Sequence, residues 1–521
     1  MSPTAAQLSA IQARGNVLVM AGAGSGKTST LVGRLLDTLL TEQPPPAISD
    51  VLVVTFTEAA ATELRQRLRA RLAEEQARHP GDARWAEQLA LFDTAHIGTL
   101  HSFCYHLIGQ HFHQLELDPQ LFVLPETEAR LLAEETLETV LEEQFKSANA
   151  AALQQLLQVQ AAGRDRTLRN LVLKVHRYTQ SLPNPDAWFH RQFEVFENPA
   201  PEVWQGWLRE AAALWQRLWT QPLTLAAARG NDLARQCLSL FHAGGVAASR
   251  QSGANRVSEE GRFSAGTPLP SQAPATDAGC CLTRQQIAAV AARVLEIGDN
   301  PPRGKKGAWV DPLAEFWAGA RFLASLAETD ADRDPLAEDW AWCHQHVLAL
   351  LRLTRAFGEA FANAKRERGE LDFADLEQFA LHLLWDFERD RPTPLAEEQR
   401  RRLRFVFVDE YQDINAAQDF IIQAVSRDGA AANRFLVGDA KQSIYRFRLA
   451  DPRIFRDYAA RWREGRAGRT ITLAENFRSR EAILDFVNAV FRPLLRPEAG
   501  GLAYDDEAAL RFGAPDERCA L

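Results

Sequence analysis

Two short stretches hold side chains whose types and spacing suit phosphate chemistry. The first is Ala21-Gly22-Ala23-Gly24-Ser25-Gly26-Lys27-Thr28, with three glycines in five residues and then a lysine and a threonine. Glycines let the backbone turn its N–H groups inward around an anion, and a helix starting here aims its positive end at the same point. Lys27 supplies a mobile charge for the β and γ phosphates of ATP, and Thr28 a hydroxyl ligand for Mg2+. The usual pattern asks for glycine at position 21, where this chain has alanine. The second stretch is Asp409-Glu410, directly after the apolar run Phe405-Val406-Phe407-Val408. An acidic pair at the tip of a buried strand is costly unless it holds a cation. Asp409 fits a Mg2+ ligand acting through water, and Glu410 the base that orients and deprotonates an attacking water. Gln442, beyond the run Arg434-Phe435-Leu436-Val437, is placed to sense the γ-phosphate. The aromatic and basic run after it, Tyr445-Arg446-Phe447-Arg448, suits holding a nucleic-acid strand.

The elements that must position these groups are legible nearby. Val17 to Met20 is too short an apolar run for a helix and suits a buried strand, with a helix after Thr28. Val51-Leu52-Val53-Val54 is a second strand, ending at Thr55-Phe56-Thr57. Phe56 then lies at the C-terminal end of a parallel strand, where such sheets bind ligands, and reads either as a base-stacking ring or as core. Leu64, Leu68 and Leu72 mark a helix over 59–72, around which Arg65, Arg67, Arg69 and Arg71 step as a solvated surface. Thr4 to Ile11 reads as a short capped helix, and the amide of Gln7 could read a base edge or simply decorate a surface. Ile97 to Phe103 starts as a strand and becomes a helix from Cys104 to Phe112; Thr99 and His101 there could meet phosphate or sugar, or be structural.

At 521 residues the chain exceeds one core. Its 46% hydrophobic and 24% charged residues describe an ordinary globular protein, and the net charge of −9 excludes a uniformly basic coat but not a local basic groove. No apolar run approaches a membrane span, and Met1-Ser2-Pro3-Thr4 begins no secretory leader. Six scattered cysteines form no disulfide framework, which predicts reduced thiols in the cytoplasm. From about 113 to 365 helical periodicity takes over, with Trp188, Trp204, Trp207, Trp215, Trp219, Trp309, Trp317, Trp340 and Trp342 expected as core anchors. The Gly-, Ser- and Pro-rich segment 244–279 reads as a disordered loop inside it.

Taken in order, these pieces resemble the UvrD/Rep-like superfamily-one helicases, and most closely their AddA/RecB helicase–nuclease branch. AGAGSGKT (21–28) is similar to the Walker A motif, and Gln7 stands where the family's adenine-reading glutamine does. VVTFTEAAATELRQRL (53–68) resembles motif Ia, which carries Thr55, Phe56 and Thr57, and IGTLHSFC (97–104) the next DNA-contact motif, with Thr99 and His101. LDFADL (371–376) and VDEYQD (408–413) follow, the latter like motif II, then VGDAKQSIYRFRLADP (437–452) like motif III and LAENFRSREAILDFVNAVF (473–491) like motif IV. Glu58 stands where many relatives carry asparagine.

The resemblance implies a P-loop NTPase: a RecA-like parallel α/β lobe over 1–112 and 366–470, interrupted by a 113–365 helical insertion, with a second lobe starting at 471–521. It implies a Mg2+- and ATP-dependent motor that tracks 3′→5′ on single-stranded DNA. Arg478 would reach the γ-phosphate, and Phe56 and Phe447 would stack on bases. The implied partners are duplex DNA and a second polypeptide of helicase–nuclease type. Motifs V and VI and a nuclease domain have no counterpart before Leu521, so a fragment or truncated product is expected. The competing reading is a non-catalytic, ATP- and DNA-binding remnant, which steady-state ATP turnover would separate from a motor.

Overall fold

The computed structural model describes residues 3–147, 150–248, 282–328, 333–463, 465, 467–496 and 503–514. The chain forms two compact units: Met1–Glu138 with Leu173–Pro185 and Phe357–Leu521, and Thr139–Val172 with Asp186–Ala356.

The first unit is a mixed α/β structure built on a six-stranded sheet. Its strands are β1 (Val17–Ala21), β2 (Val51–Thr55), β3 (His96–Thr99), β4 (Phe405–Val408), β5 (Arg434–Gly438) and β6 (Arg469–Leu473), in the order β6-β1-β5-β4-β2-β3. Every pairing is parallel, with Val17 opposite Phe435 on one side of β1 and Arg469 on the other. Side chains alternate between two cores, as the two-residue strand period requires. Leu18, Leu52, Val54, Val406, Val408 and Leu436 pack on one face. Val17, Val19, Val51, Val53, Phe407, Phe435 and Val437 pack on the other. Helices cover both faces, which is why these strands read as unbroken apolar runs. Parallel pairing brings every C-terminal strand end to one edge, so the loop after β1, Thr55, Thr99, Asp409 and Asp439 all emerge there. This is the P-loop NTPase fold expected from the sequence.

Several expected boundaries shift for identifiable reasons. The helix Leu100–His111 begins ahead of Cys104 because the Thr99 hydroxyl caps it, accepting from the Ser102 N–H at 3.1 Å. The line drawn at 470/471 falls inside β6, all five residues of which pair with β1. Residues 173–185 pack with the sheet unit because Gln378 Nε2 donates to the carbonyls of Gln180 and Leu182, each at 2.8 Å, and the Ala417 N–H to that of Ser181 at 2.9 Å. Arg65 is not a simply solvated arginine: it donates to the Ile97 carbonyl at 3.1 Å and lies over the Phe92 ring.

The regular elements of the second unit are helical among the described residues. Trp215 stacks on Phe316 with ring centroids 5.0 Å apart, and Trp317 meets the same ring edge-on at 4.7 Å. Trp215, Trp317 and Trp340 are therefore the core anchors expected, whereas Trp207 and Trp342 are exposed. The glycine- and serine-rich segment 244–279 lies outside the described residues beyond Ala248, where the helix Asp232–Ala248 ends. No described helix is long and apolar enough to cross a membrane.

Candidate nucleotide site and nucleic-acid face

The loop after β1 has the geometry of a phosphate cradle. Ala21, the departure from the usual pattern, is the last residue of β1 and is buried, so it lies in the strand and not in the turn. Gly24 and Gly26 take φ of +70° and +80°, a region costly for other residues. Ser25 is buried and donates its hydroxyl to the Gly22 carbonyl at 2.8 Å, closing the turn. The helix Lys27–Thr41 starts with no side-chain cap from Gly26, which leaves its N-terminal dipole facing the cradle. Gly22 and Ala23 complete the loop between strand and turn.

Lys27 Nζ lies 2.7 Å from Glu410 Oε2 and 3.5 Å from Gln442 Oε1. One ammonium thus meets the two groups singled out as base and γ-phosphate sensor. Asp409 is buried beside them; burial first, and the neighbouring Glu410 second, push its carboxyl up to about 6. The Glu410 N–H at 3.0 Å, Lys27 and the Thr28 hydroxyl pull the other way. Asp409 at the tip of β4 and Thr28 in the first turn of the helix Lys27–Thr41 therefore converge, the donor set a hard divalent cation prefers. Among the described residues no three His, Cys, Asp or Glu side chains form a metal cluster by themselves. Glu410 has φ of +52°, a left-handed conformation for a residue with a Cβ, found at the site and not in a surface turn.

The sequence-marked Gln7 and Arg478 both reach this loop. Gln7 Nε2 donates to the Ser25 carbonyl at 2.9 Å while its Oε1 accepts from the Thr4 N–H at 2.9 Å, in a capping box at the start of the first helix. Both ends of its amide are engaged with the protein. Arg478 is exposed, and its N–H donates to Asn476 Oδ1 at 2.9 Å. A Cβ on Gly24 would stand 2.8 Å from both Arg478 Cβ and Asn476 Nδ2, so this glycine also makes room for the segment after β6.

The residues expected at nucleic acid divide into two groups. Phe447 is the open one, at 71% exposure, beside Ile444, which carried no such expectation and is 69% exposed. Tyr445 lies 5.7 Å from the Phe447 ring, and the Arg448 guanidinium sits over both rings. The other group is mostly covered, although Thr57 is exposed and the buried Thr55 hydroxyl has no hydrogen-bond partner among the described residues. Thr55 is buried, Phe56 packs against the core, and Thr57 caps the helix Glu58–Arg78. Thr99 is buried and donates its hydroxyl to Glu58 Oε1 at 3.0 Å, which gives the variant Glu58 a partner. His101 Nε2 pairs with buried Glu377 Oε1 at 2.9 Å, and Glu377 also accepts from Asn415 and Gln418.

Two site residues escaped the sequence reading. Buried Asn476 donates to the Ala23 carbonyl and accepts from the N–H groups of Arg478 and Ser479, linking the two loops. Buried Gln412 donates to Glu410 Oε2 at 2.9 Å and accepts from the Asp439 N–H at 2.9 Å. An amide among three carboxylates in Asp409-Glu410-Tyr411-Gln412-Asp413 was the available signal for the second.

The family described as UvrD/REP helicase N-terminal domain matches residues 3–251 and 322–461. The chain is 37% identical over 537 residues to an ATP-dependent helicase/nuclease subunit from Moorella thermoacetica, covering 99% of this chain and 36% of that protein. Against the protein of the same name from Desulforudis audaxviator it is 38% identical over 517 residues, covering 96% and 40%. Against that of Bacillus velezensis it is 32% identical over 529 residues, covering 98% and 41%. The chain spans about two fifths of the length of these relatives.

Proposed function

The chain belongs to the UvrD/REP helicase family, and from that premise we propose that it is the ATP-binding portion of a DNA helicase. In this reading the protein hydrolyses ATP to move 3′→5′ on single-stranded DNA and opens duplex during double-strand-break repair and recombination. It works in the cytoplasm with a second polypeptide of a helicase–nuclease, as the words "helicase/nuclease subunit" in its relatives' names suggest. The observation that carries the reading is the meeting of Lys27, Glu410 and Gln442 at the mouth of the glycine loop.

Each residue has a role that follows from its surroundings. Lys27 exchanges Glu410 for the β and γ phosphate oxygens, which leaves the Glu410 carboxylate free to accept the proton of an attacking water. Thr28 and Asp409 hold Mg2+. The cation supplies charge neutralisation on the phosphates. Gln442, oriented by Asp439 Oδ2 at 2.8 Å, faces the terminal phosphate. Arg478, exposed on the segment that packs against Gly24, would offset charge that develops during transfer. Gln7, bonded at both ends of its amide to Ser25 and Thr4, would exchange one of these bonds for an adenine edge. Phe447 and Tyr445 offer rings on which bases stack, and Thr55, Phe56, Thr57, Thr99 and His101 lie at the adjoining strand ends.

The test is DNA-stimulated ATP turnover with strand displacement from 3′- and 5′-tailed duplexes. Glu410→Gln should keep ATP binding and lower turnover by about 10²-fold or more, the scale of a lost general base. Wild-type turnover in that variant, or unwinding from 5′ tails alone, would overturn the reading.

A further inference from the structure

We propose that Gln412 is a positioning residue that sets the Glu410 carboxylate and ties it to the turn carrying Gln442; this rests on Glu410 being the general base. The side chain of Gln412 is 2% exposed and bonded at both ends. Its Nε2 donates to Glu410 Oε2 at 2.9 Å and to Asp413 Oδ2 at 3.3 Å. Its Oε1 accepts from the Asp439 N–H at 2.9 Å, and its backbone carbonyl accepts from the Ser443 hydroxyl at 3.3 Å. Asp439 in turn accepts from Gln442 Nε2 at 2.8 Å. Lys27 closes the circuit, since its ammonium reaches both Glu410 and Gln442. The ring runs Lys27, Glu410, Gln412, Asp439, Gln442 and back to Lys27.

Two features show that the ring is built and not incidental. Gly438, in the middle of the sheet, has no room for a side chain: a Cβ there would lie 2.5 Å from Gln412 Oε1, 2.8 Å from the buried Phe455 ring and 3.2 Å from the Gln412 backbone nitrogen. β5 ends in glycine so that Gln412 can lie across it. The residue type follows from the charges around it. A glutamate at 412 would add a fourth carboxylate to Asp409, Glu410 and Asp413, whereas an amide gives one donor to that cluster and keeps an acceptor for Asp439. Glu410 needs such a donor, because its left-handed backbone turns the chain sharply and leaves the carboxylate to be aimed by what it bonds. Once phosphate takes Lys27, the Gln412 amide is the donor of this ring that still holds the base. Gln412 thereby acts on the chemical step and leaves nucleotide binding alone.

The experiment uses the full protein with single-stranded DNA and compares Gln412→Met, Gln412→Glu, Gly438→Ala and Glu410→Gln. Gln412→Met should lower kcat about ten- to a hundred-fold, the scale of a misplaced catalytic group, with KM for ATP within about threefold. Gln412→Glu keeps the shape and the acceptor but replaces the donor, and should show the same split. So should Gly438→Ala, which crowds Gln412 and the Phe455 ring without touching Glu410. Adding Gln412→Met to Glu410→Gln should cost little more than Glu410→Gln alone. The inference is overturned if Gln412→Met keeps wild-type kcat while Glu410→Gln is slow, or if the two losses multiply in full. It is overturned too if kcat and melting temperature fall and KM rises together in all three variants of this link. Wild-type turnover in Glu410→Gln would instead retire the general base and this inference with it.

Discussion

Two lysines in the sheet unit each face a cluster of aspartates and glutamates, and the clusters differ in how completely they are closed. Lys365 is buried, lies over the Phe361 ring at 4.3 Å, and reaches Asp372 at 2.8 Å and Asp375 at 2.6 Å. Both carboxylates also cap the helix Phe373–Leu384, each accepting from the other's N–H. Burial pushes Asp372 upward but Lys365 outweighs it, so its carboxyl sits below the usual range, while burial and then Asp372 raise Asp375 to about 6. Lys27 meets a different balance. Three carboxylates surround its position, Asp409 and Asp413 are both raised to about 6 by burial and by Glu410, and Asp413 Oδ1 is buried with no hydrogen-bond partner. One cluster sets two carboxylates on a single buried ammonium, each also accepting a helix-capping N–H. The other keeps surplus negative charge and a strained backbone at one point, the condition expected where a cation and a phosphate chain are to enter.

Exchanging the lysines should separate the two roles. Lys365→Ala leaves two buried carboxylates without their cation and should cost about 3–5 kcal/mol in denaturant unfolding, the scale for a broken buried pair. The folded fraction should bind ATP as the wild type does. Lys27→Ala should do the reverse: nucleotide affinity falls about 10²-fold by calorimetry, as two charge-assisted bonds to phosphate are lost, with little change in stability. Loss of stability from Lys27→Ala, or loss of ATP binding from Lys365→Ala, would erase the distinction. The smallest effect sharpens it. The Asp413 carboxyl is raised from 3.8 to about 6, so ionising it opposes folding, and stability it allows at pH 4 is lost as pH rises through 6. Asp413→Asn removes that loss; the variant should match wild type at pH 4 and be more stable by about 1 kcal/mol at pH 7 in parallel melts.

The sequence made the Lys27 cluster visible and hid the nature of the Lys365 one. Val17 to Thr28 and Phe405 to Glu410 carry strand, turn and chemistry within a dozen consecutive residues each, so local pattern sufficed. LDFADL looked like a motif of the same standing, yet its aspartates form a capping box around Lys365. Nothing in the spacing distinguishes an acid that caps a helix from one that awaits a cation. Asn476 and Ala23 are 453 residues apart, and only the placement of β6 beside β1 makes them neighbours. Thr99 and His101 looked like free polar groups because Glu58 and Glu377, which engage them, belong to other elements.

The strand order also imposes a timetable. β2 finds β3 within some forty residues of chain, so that pair can form as soon as it is made. β1 ends at residue 21 and pairs only with β5 and β6, which begin at residues 434 and 469. At about 5–20 residues per second, the strand that carries the glycine loop waits roughly 20–80 s on the ribosome before either partner exists. The helical unit, whose elements all lie in that interval, can be complete before the loop has a sheet to stand on. Nucleotide competence thus waits on strands that lie roughly 400 residues beyond the loop that encodes it.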